Sequence, residues 1–471
     1  MRKTNGKAED VRIAYIGGGS RGWARYLMSD LLLNDKMSGT VALYDIDLEA
    51  AKDNEIIGNK MNRLPDKKSE WKFITEKTLK GALTGADFVV ISILPGTFDE
   101  METDVHLPEK YGIYQSVGDS VGPGGVIRAL RTIPMYKEIA EAIRDNCPKA
   151  WVINYTNPMT VCTRTLYEVF PDIKAFGCCH EVFGTQELIA NIYNEQTGEH
   201  ATRRDIDANI LGVNHFTWFD EVRYKGEDLK PMLLKYAEEH PAGDSFKTLN
   251  WMNKKFQSNS AVKFDLLRRY GLVAAAGDRH LCEFVPSEWY MKDAATAEKW
   301  RYKLTSVSWR KQDKEEKLLE TRELVSGTKP VKLEESGEEG VNQMAALAGL
   351  GSYVTNVNIP NYGQISNLPI GAVVETNAYF SGDSVRPLFA GKIPDAVNGL
   401  IIRHVYNQEQ IVKGALNGDY EAVFKAFIGD PQMKLSLKDA RKLYDEMLYA
   451  TKEYLPYYEQ YTNGRKSCSM L

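Results

Sequence analysis

The chain is poor in the residues that build disulfide frameworks and metal clusters: six cysteines and seven histidines in 471 residues. The cysteines (147, 162, 178, 179, 282 and 468) are scattered. That usage excludes a small disulfide-stapled scaffold and fits free or metal-bound thiols in a reducing, cytoplasmic setting. No apolar run is long enough to span a bilayer, and the N-terminal MRKTNGKAEDVRIAYIGGG has no apolar signal-peptide region. Neither sign of charge dominates, with 59 basic against 64 acidic side chains, and no basic arm stands out. Nucleic acid and membrane are therefore not expected as partners. The terminal Cys468-Ser-Met-Leu has the spacing of a prenylation box. A serine replaces an aliphatic residue there and no polybasic run precedes it, so lipidation is not expected.

What is present is a large hydrophobic fraction, 43%, in a chain longer than one ordinary domain. Val11–Ile16, Thr40–Asp45, Ala86–Leu94, Trp151–Pro158 (running into a turn) and Ile173–Cys178 read as strands, with helical patterns between them at Trp23–Leu31 and from Pro134 to Ile143. Strands alternating with helices predict an α/β chain: an N-terminal Rossmann-like parallel sheet with helices on both faces. The division expected is a dinucleotide-binding domain over residues 1–200 and a C-terminal domain over 201–471 for substrate, metal and oligomerisation. Beyond residue 200 the alternation weakens, giving an α+β domain. Long helical stretches are expected at Trp289–Arg322 and Leu435–Tyr457, and a short strand at Ile370–Asn377. Ser326–Gly340, rich in Ser, Gly, Lys and Glu, reads as an exposed mobile loop.

Gly17-x-Gly19-x-x-Gly22 lies between a strand and a helix. The first glycine permits a tight turn, the second lets a pyrophosphate approach the backbone, and the third allows helix and strand to pack closely. Ser20 lies inside this loop, and the helix N-terminus that follows offers free amides to an anion. Asp45 ends the next strand, where a carboxylate accepts ribose hydroxyls and repels a 2′-phosphate. The order of parts predicts NAD binding.

Cys179-His180-Glu181-Val182 follows a strand, and His215 lies in Leu-Gly-Val-Asn-His-Phe-Thr-Trp. A thiolate with a neutral imidazole suits a borderline divalent metal, and two protein ligands leave positions open for substrate oxygens. By residue type alone, a buried cysteine beside an apolar strand is more often core than ligand.

Taken together, IAYIGGGS, GDSVGPGG (118–125), VINYTNPM (152–159), GCCHEV (177–182), GVNHFTWF (212–219) and NVNIPNYGQISNLP (356–369) resemble glycoside hydrolase family 4, the NAD- and divalent-metal-dependent glycosidases, over nearly the whole chain. Its fold resembles that of lactate and malate dehydrogenases. Cys-His-Glu-Val is similar to the α-galacturonidase members of that family. The resemblance implies that Cys179 and His215 bind Mn²⁺, with adjacent Cys178 as a one-residue alternative, and that Asn157 contacts sugar hydroxyls or orients the metal. It implies oxidation at sugar C3 by NAD⁺, loss of the C2 proton, departure of the C1 oxygen, addition of water and return of the hydride. Such NAD-dependent enzymes depart from the two-carboxylate scheme of glycosidases. Asp278 would be the base, with Tyr270 as runner-up. His180, whose imidazole suits proton transfer near neutrality, would be the acid, with Glu181 and Asp119 as rivals. A uronic acid needs a planar cationic partner, for which Arg131, Arg128 and Arg279 are candidates. The family also implies a homodimer or homotetramer acting on a small galacturonide. Competing readings are another family 4 activity (α-glucosidase, α-galactosidase or α-glucuronidase), a malate-type dehydrogenase, and a non-catalytic nucleotide sensor.

Overall fold

A computed structural model describes residues 1–244, 246 and 258–468. The C-terminal Cys468-Ser-Met-Leu lies outside them, save for the backbone of Cys468. The chain starts its sheet with β1 (Lys7–Ile16), whose outer part buries only Ala8 and Val11 and whose inner part, Ile13–Ile16, is wholly buried. It is followed by β2 (Met37–Tyr44), β3 (Trp71–Thr75), β4 (Phe88–Ile91), β5 (Trp151–Asn154) and β6 (Lys174–Gly177). These six pair in parallel in the order β3-β2-β1-β4-β5-β6. That is the doubly wound order, with its reversal between β1 and β4, where ligands bind at the strands' carboxyl ends.

Successive side chains of β1 serve opposite faces, as the period of a strand requires. Val11, Ile13 and Tyr15 pack with the helices Trp23–Leu33, Leu48–Met61 and Gly340–Leu347, while Ala14 and Ile16 pack with Gly122–Asn146 and Met159–Val169. The sheet is thus buried on both sides, which explains why its strands read as short continuous apolar runs.

A second, antiparallel sheet holds β7 (Asp207–Val213), β8 (Phe216–Tyr224) and β9 (Val273–Ala274). The chain then returns to the first sheet: β10 (Ser352–Pro360), β11 (Val373–Ser381) and β12 (Ser384–Pro387) extend it beyond β6 as an antiparallel flap. A division at residue 200 therefore separates the chain but not the sheet. Among the described residues, no helix is long and apolar enough to cross a membrane.

Several elements differ from the sequence expectations. The helix expected from Pro134 begins at Gly122, with Pro123 in its first turn, where the missing N–H is not needed. Residues 289–322 are not one helix. Asp293 caps Ala294–Lys299, Arg301 takes a left-handed φ of 58°, and Ser306 caps a new helix, Val307–Ser326. The second long stretch shortens to Leu437–Ala450, and the strand near Ile370 lies at Val373–Ser381. Ser326–Gly340 is not a free loop. Ser29 and Glu334 exchange two hydrogen bonds of 2.8 and 2.7 Å, and Ser336 donates its backbone N–H to Asp30 at 2.9 Å. Local composition could not show that a polar segment finds its partners on a helix 300 residues away.

Candidate active site

The turn after β1 carries the glycine pattern. Gly17 has φ 91°, and a Cβ there would lie 2.0 Å from the carbonyl oxygen of Ser92, which follows β4, so only glycine fits at the switch point. A Cβ on Gly19 would meet Ala50 at 2.7 Å and the Asp45 carboxylate at 2.9 Å. Asp45 accepts the Gly19 N–H at 2.9 Å and that of Asp47 at 3.0 Å. It ties the loop to the end of β2 and keeps further lone pairs for ribose hydroxyls. Asn54 donates to the carbonyls of Gly18 and Ser20 at 2.7 and 2.9 Å, fixing the loop from behind. Gly22 precedes the helix Trp23–Leu33 with no side-chain cap, so the amides of its first turn face outward as an anion cradle. These features fit a dinucleotide.

Beyond β5 and β6 lies a largely enclosed polar cluster, with His215 buried and Asp119 and His280 half-buried. Asp119, His215 and His280 bring ligand atoms within 4.8 Å of one another. His215 sits in the two-residue turn joining β7 to β8, with a left-handed φ of 64°. A non-glycine residue held there is strained, and such strain concentrates at functional sites. Its ring stacks on that of His280 at 3.7 Å, and its Nδ1 lies 3.1 Å from the Ser120 hydroxyl, which donates to Asp119 at 2.7 Å. Asn157 donates to the other Asp119 oxygen at 3.3 Å.

Charge in the cluster is arranged for a cation. Burial acts to raise the pKa of Asp119, but His280, His215 and Arg128 outweigh it and hold the carboxyl well below its ordinary range. Burial, with His280 beside it, pulls His215 down to about 3, and burial lowers His280 as well. Both imidazoles are therefore neutral at pH 7, as ligands must be. His280 Nδ1, Asn157 Oδ1 and Asn214 Oδ1 are buried without hydrogen-bond partners. Orphaned polar atoms around one carboxylate and two imidazoles fit a divalent metal with open positions.

Cys179 falls outside this three-residue group. It is buried, and burial together with Glu375 and Glu181 pushes its thiol well up. Its carbonyl takes the Asn356 amide at 3.1 Å, and Asn356 and Asn214 both donate to Glu375. The cysteine is thus linked to His215 through its neighbour Asn214. A metal there would have to displace the thiol proton.

The other expected residues separate. His180 stands between Glu338, 3.3 Å from its Nδ1, and Glu181, 3.8 Å from its Nε2. Glu181 accepts the Gly277 N–H at 2.7 Å and lies 3.8 Å from His280. Asp278 faces away: its two oxygens accept the N–H groups of Val262 and Lys263 at 3.1 and 3.0 Å, capping the helix Ala261–Tyr270. Tyr270 packs its ring on Trp218, 5.8 Å between centroids. Arg131 is fully buried, held by both oxygens of Asp104 and by the Pro95 carbonyl at 3.0 Å. Its planar fork is closed to a substrate. Arg128 donates to the Asn157 carbonyl at 3.0 Å, and Arg279 donates to the Thr305 hydroxyl.

Sequence reading missed His280 as a cluster member, and it missed Glu338 and Glu375. For His280 a signal existed: with seven histidines in the chain, one beside a Gly-Asp turn merits attention. For the two glutamates there was none.

A family model described as family 4 glycosyl hydrolase matches residues 12–195, and one for the C-terminal domain of that family matches residues 210–433. The chain belongs to family 4 of the glycosyl hydrolases. It is 58% identical over 460 residues to an α-galacturonidase of Thermoanaerobacterium saccharolyticum, covering 97% of this chain and 98% of that one. The crystal structure of lplD from Bacillus subtilis is 51% identical, covers 93% of this chain and all of that one, and superposes with a TM-score of 0.89. A 6-phospho-α-glucosidase from gut microorganisms, solved in complex with NAD and Mn²⁺, shares the fold at 20% identity over 95% of this chain and 99% of that one, with a TM-score of 0.80. The family 4 assignment sets aside the malate-type dehydrogenase and sensor readings.

Proposed function

We propose that this family 4 glycosidase hydrolyses α-galacturonides, using bound NAD and Mn²⁺. The observation that carries the reading is the group of half-buried Asp119, buried His215 and half-buried His280 at the carboxyl end of a sheet whose switch point holds the glycine loop. The galacturonidase relative spanning the chain supplies the substrate class. When bound, the nicotinamide provides a hydride acceptor and donor for sugar C3, and the cation a Lewis acid for the sugar oxygens.

The chain's own residues then take distinct parts. Gly17, Gly19, Ser20, Gly22 and Asp45 hold the dinucleotide. His215 is the central metal ligand, with Asp119 and His280 beside it and Cys179 at its edge. Asn157, with its Oδ1 unpartnered, faces the sugar hydroxyls. Arg279, next to His280, takes the uronate carboxylate, the part that Arg131 cannot play. His180 gives a proton to the departing C1 oxygen. Asp278, engaged by two backbone amides, orients the turn that presents His280. The sugar is oxidised at C3, loses its C2 proton and its C1 substituent, takes up water and is reduced again, with no net redox change. The enzyme works in the cytoplasm as a homodimer or homotetramer.

The test is a panel of nitrophenyl α-glycosides assayed with NAD⁺ and Mn²⁺ present. Galacturonide should be cleaved far faster than galactoside, glucoside or glucuronide. Preference for a sugar lacking the carboxylate, or for the glucuronide, would reject the assignment. In Arg279→Ala the loss should be confined to the uronide.

A further inference from the structure

We propose that Glu338 is the positioning partner of His180, forming a carboxylate–imidazole pair that delivers the proton to the leaving oxygen. The inference rests on the galacturonidase reading above and assigns a function to a segment outside every motif of the sequence.

Glu338 comes from the stretch between the helices Val307–Ser326 and Gly340–Leu347. Its side chain is 7% exposed and lies 3.3 Å from His180 Nδ1. This is its only ion pair among the described residues, and neither carboxylate oxygen has a hydrogen-bond partner. A buried carboxylate without donors is costly, so its retention calls for a function. The neighbouring guanidinium does not serve it: Arg203 bonds to the adjacent Glu339.

The position of Glu338 is set from both sides. Ser336 is fastened to Asp30 through its backbone N–H and its hydroxyl, and Glu334 to Ser29. Glu339 is held by Arg203, Tyr353 and, at 3.0 Å, Asn342. Ser29 and Asp30 belong to the helix that follows the glycine loop, and Trp23 at the start of that helix lies 5.9 Å from the His180 ring. One helix thus supports the dinucleotide loop, the imidazole and the segment that brings the carboxylate. The 3.3 Å contact lacks hydrogen-bond alignment, as is common before substrate tightens a catalytic pair.

The pair acts in the elimination step, after C3 has become a ketone. The C2 proton leaves first, to a base in exchange with solvent, and its bonding pair enters the C2–C3 enolate; that pair then forms the C1=C2 bond as the C1–O bond breaks toward the leaving group, and the His180 Nε2 proton moves to that oxygen, leaving the imidazole neutral. Glu338 accepts the Nδ1–H bond throughout, so the ring stays oriented with Nε2 toward the sugar.

The experiment compares Glu338→Gln with wild type on methyl α-galacturonide, whose alkoxide must be protonated as it leaves, and on 4-nitrophenyl α-galacturonide, whose phenolate need not be. The variant should lose about a hundredfold in kcat/KM on the methyl glycoside and less than about fivefold on the nitrophenyl one. Glu338→Asp should recover part of the difference. Exchange of the C2 proton in deuterated water should continue in both variants, because it precedes proton donation. Equal losses on the two substrates, together with lost exchange, would mark Glu338 as structural and overturn the proposal, as would no loss on either. If the Gln variant does not fold, the substrate ratio of the Asp variant decides. Failure of wild type to exchange at C2 or to cleave galacturonides would instead refute the underlying reading.

Discussion

The dinucleotide loop and the histidine cluster are built in opposite ways. The loop comes from one stretch of chain, residues 16–54, in which strand, turn, helix, acid and supporting asparagine follow in order. The cluster of Asp119, His215 and His280, with Asn157 on Asp119 and with His180 and Glu338 reached by way of Glu181, draws on separate turns and helix ends spread over more than 200 residues. The loop can therefore fail through a single local clash. The cluster depends on long-range packing, and its members are held by neighbours rather than by chain order.

The sharpest way to separate the two is to remove His215. His215→Ala should lose more Mn²⁺ affinity than the roughly 10–100-fold that outer-shell partners of a metal account for, with activity falling in parallel. NAD⁺ affinity should be unchanged by calorimetry. Parallel loss of NAD⁺ binding would show that the two regions are one unit. Next in size is the scaffold between them. Arg131 and Asp104 pair with almost no exposure, so Asp104→Ala should leave a buried guanidinium uncompensated and reduce stability by about 3–5 kcal/mol in denaturant unfolding. A change under about 1 kcal/mol would mean that Arg131 finds other partners, which reopens it to substrate.

Gly19→Ala breaks the loop alone. The added methyl meets Ala50 and Asp45 at 2.7 and 2.9 Å, and overpacking of about 1–3 kcal/mol should weaken NAD⁺ roughly tenfold while Mn²⁺ affinity stands. The smallest expected change is in Asp278→Asn. As a cap and turn support, Asp278 should contribute about 1 kcal/mol to stability and less than about tenfold to kcat. Loss of about 10²–10⁴-fold in kcat with the fold intact would instead make it the general base.

The same contrast explains what could be read from the residues. The glycine pattern, Asp45 and the five strand runs of the first sheet were legible, because their signals lie within a few residues and both faces of that sheet are buried. Cys179, His180 and His215 were singled out from motifs; of these the structure puts His215 in the group with Asp119 and His280, while Cys179 and His180 lie outside it. His280 was overlooked because the Gly-Asp turn drew attention to Asp278, whose carboxylate looks local in sequence but serves the helix at Ala261–Tyr270. Arg131 looked like a ligand because a charged residue beside a motif suggests exposure, whereas Asp104 encloses it. The return of residues 352–387 to the first sheet, and the docking of Glu334–Glu339 on the helix of Ser29 and Asp30, have no local signature. Both depend on contacts across most of the chain's length.

The account stands on a dinucleotide and a divalent cation serving one sugar. Enzyme freed of both by charcoal and chelator should not cleave 4-nitrophenyl α-galacturonide, should remain inactive with either NAD⁺ or Mn²⁺ alone, and should recover when both are restored, without NADH accumulating. Full hydrolysis by the stripped enzyme, or steady formation of NADH in place of hydrolysis, would contradict it.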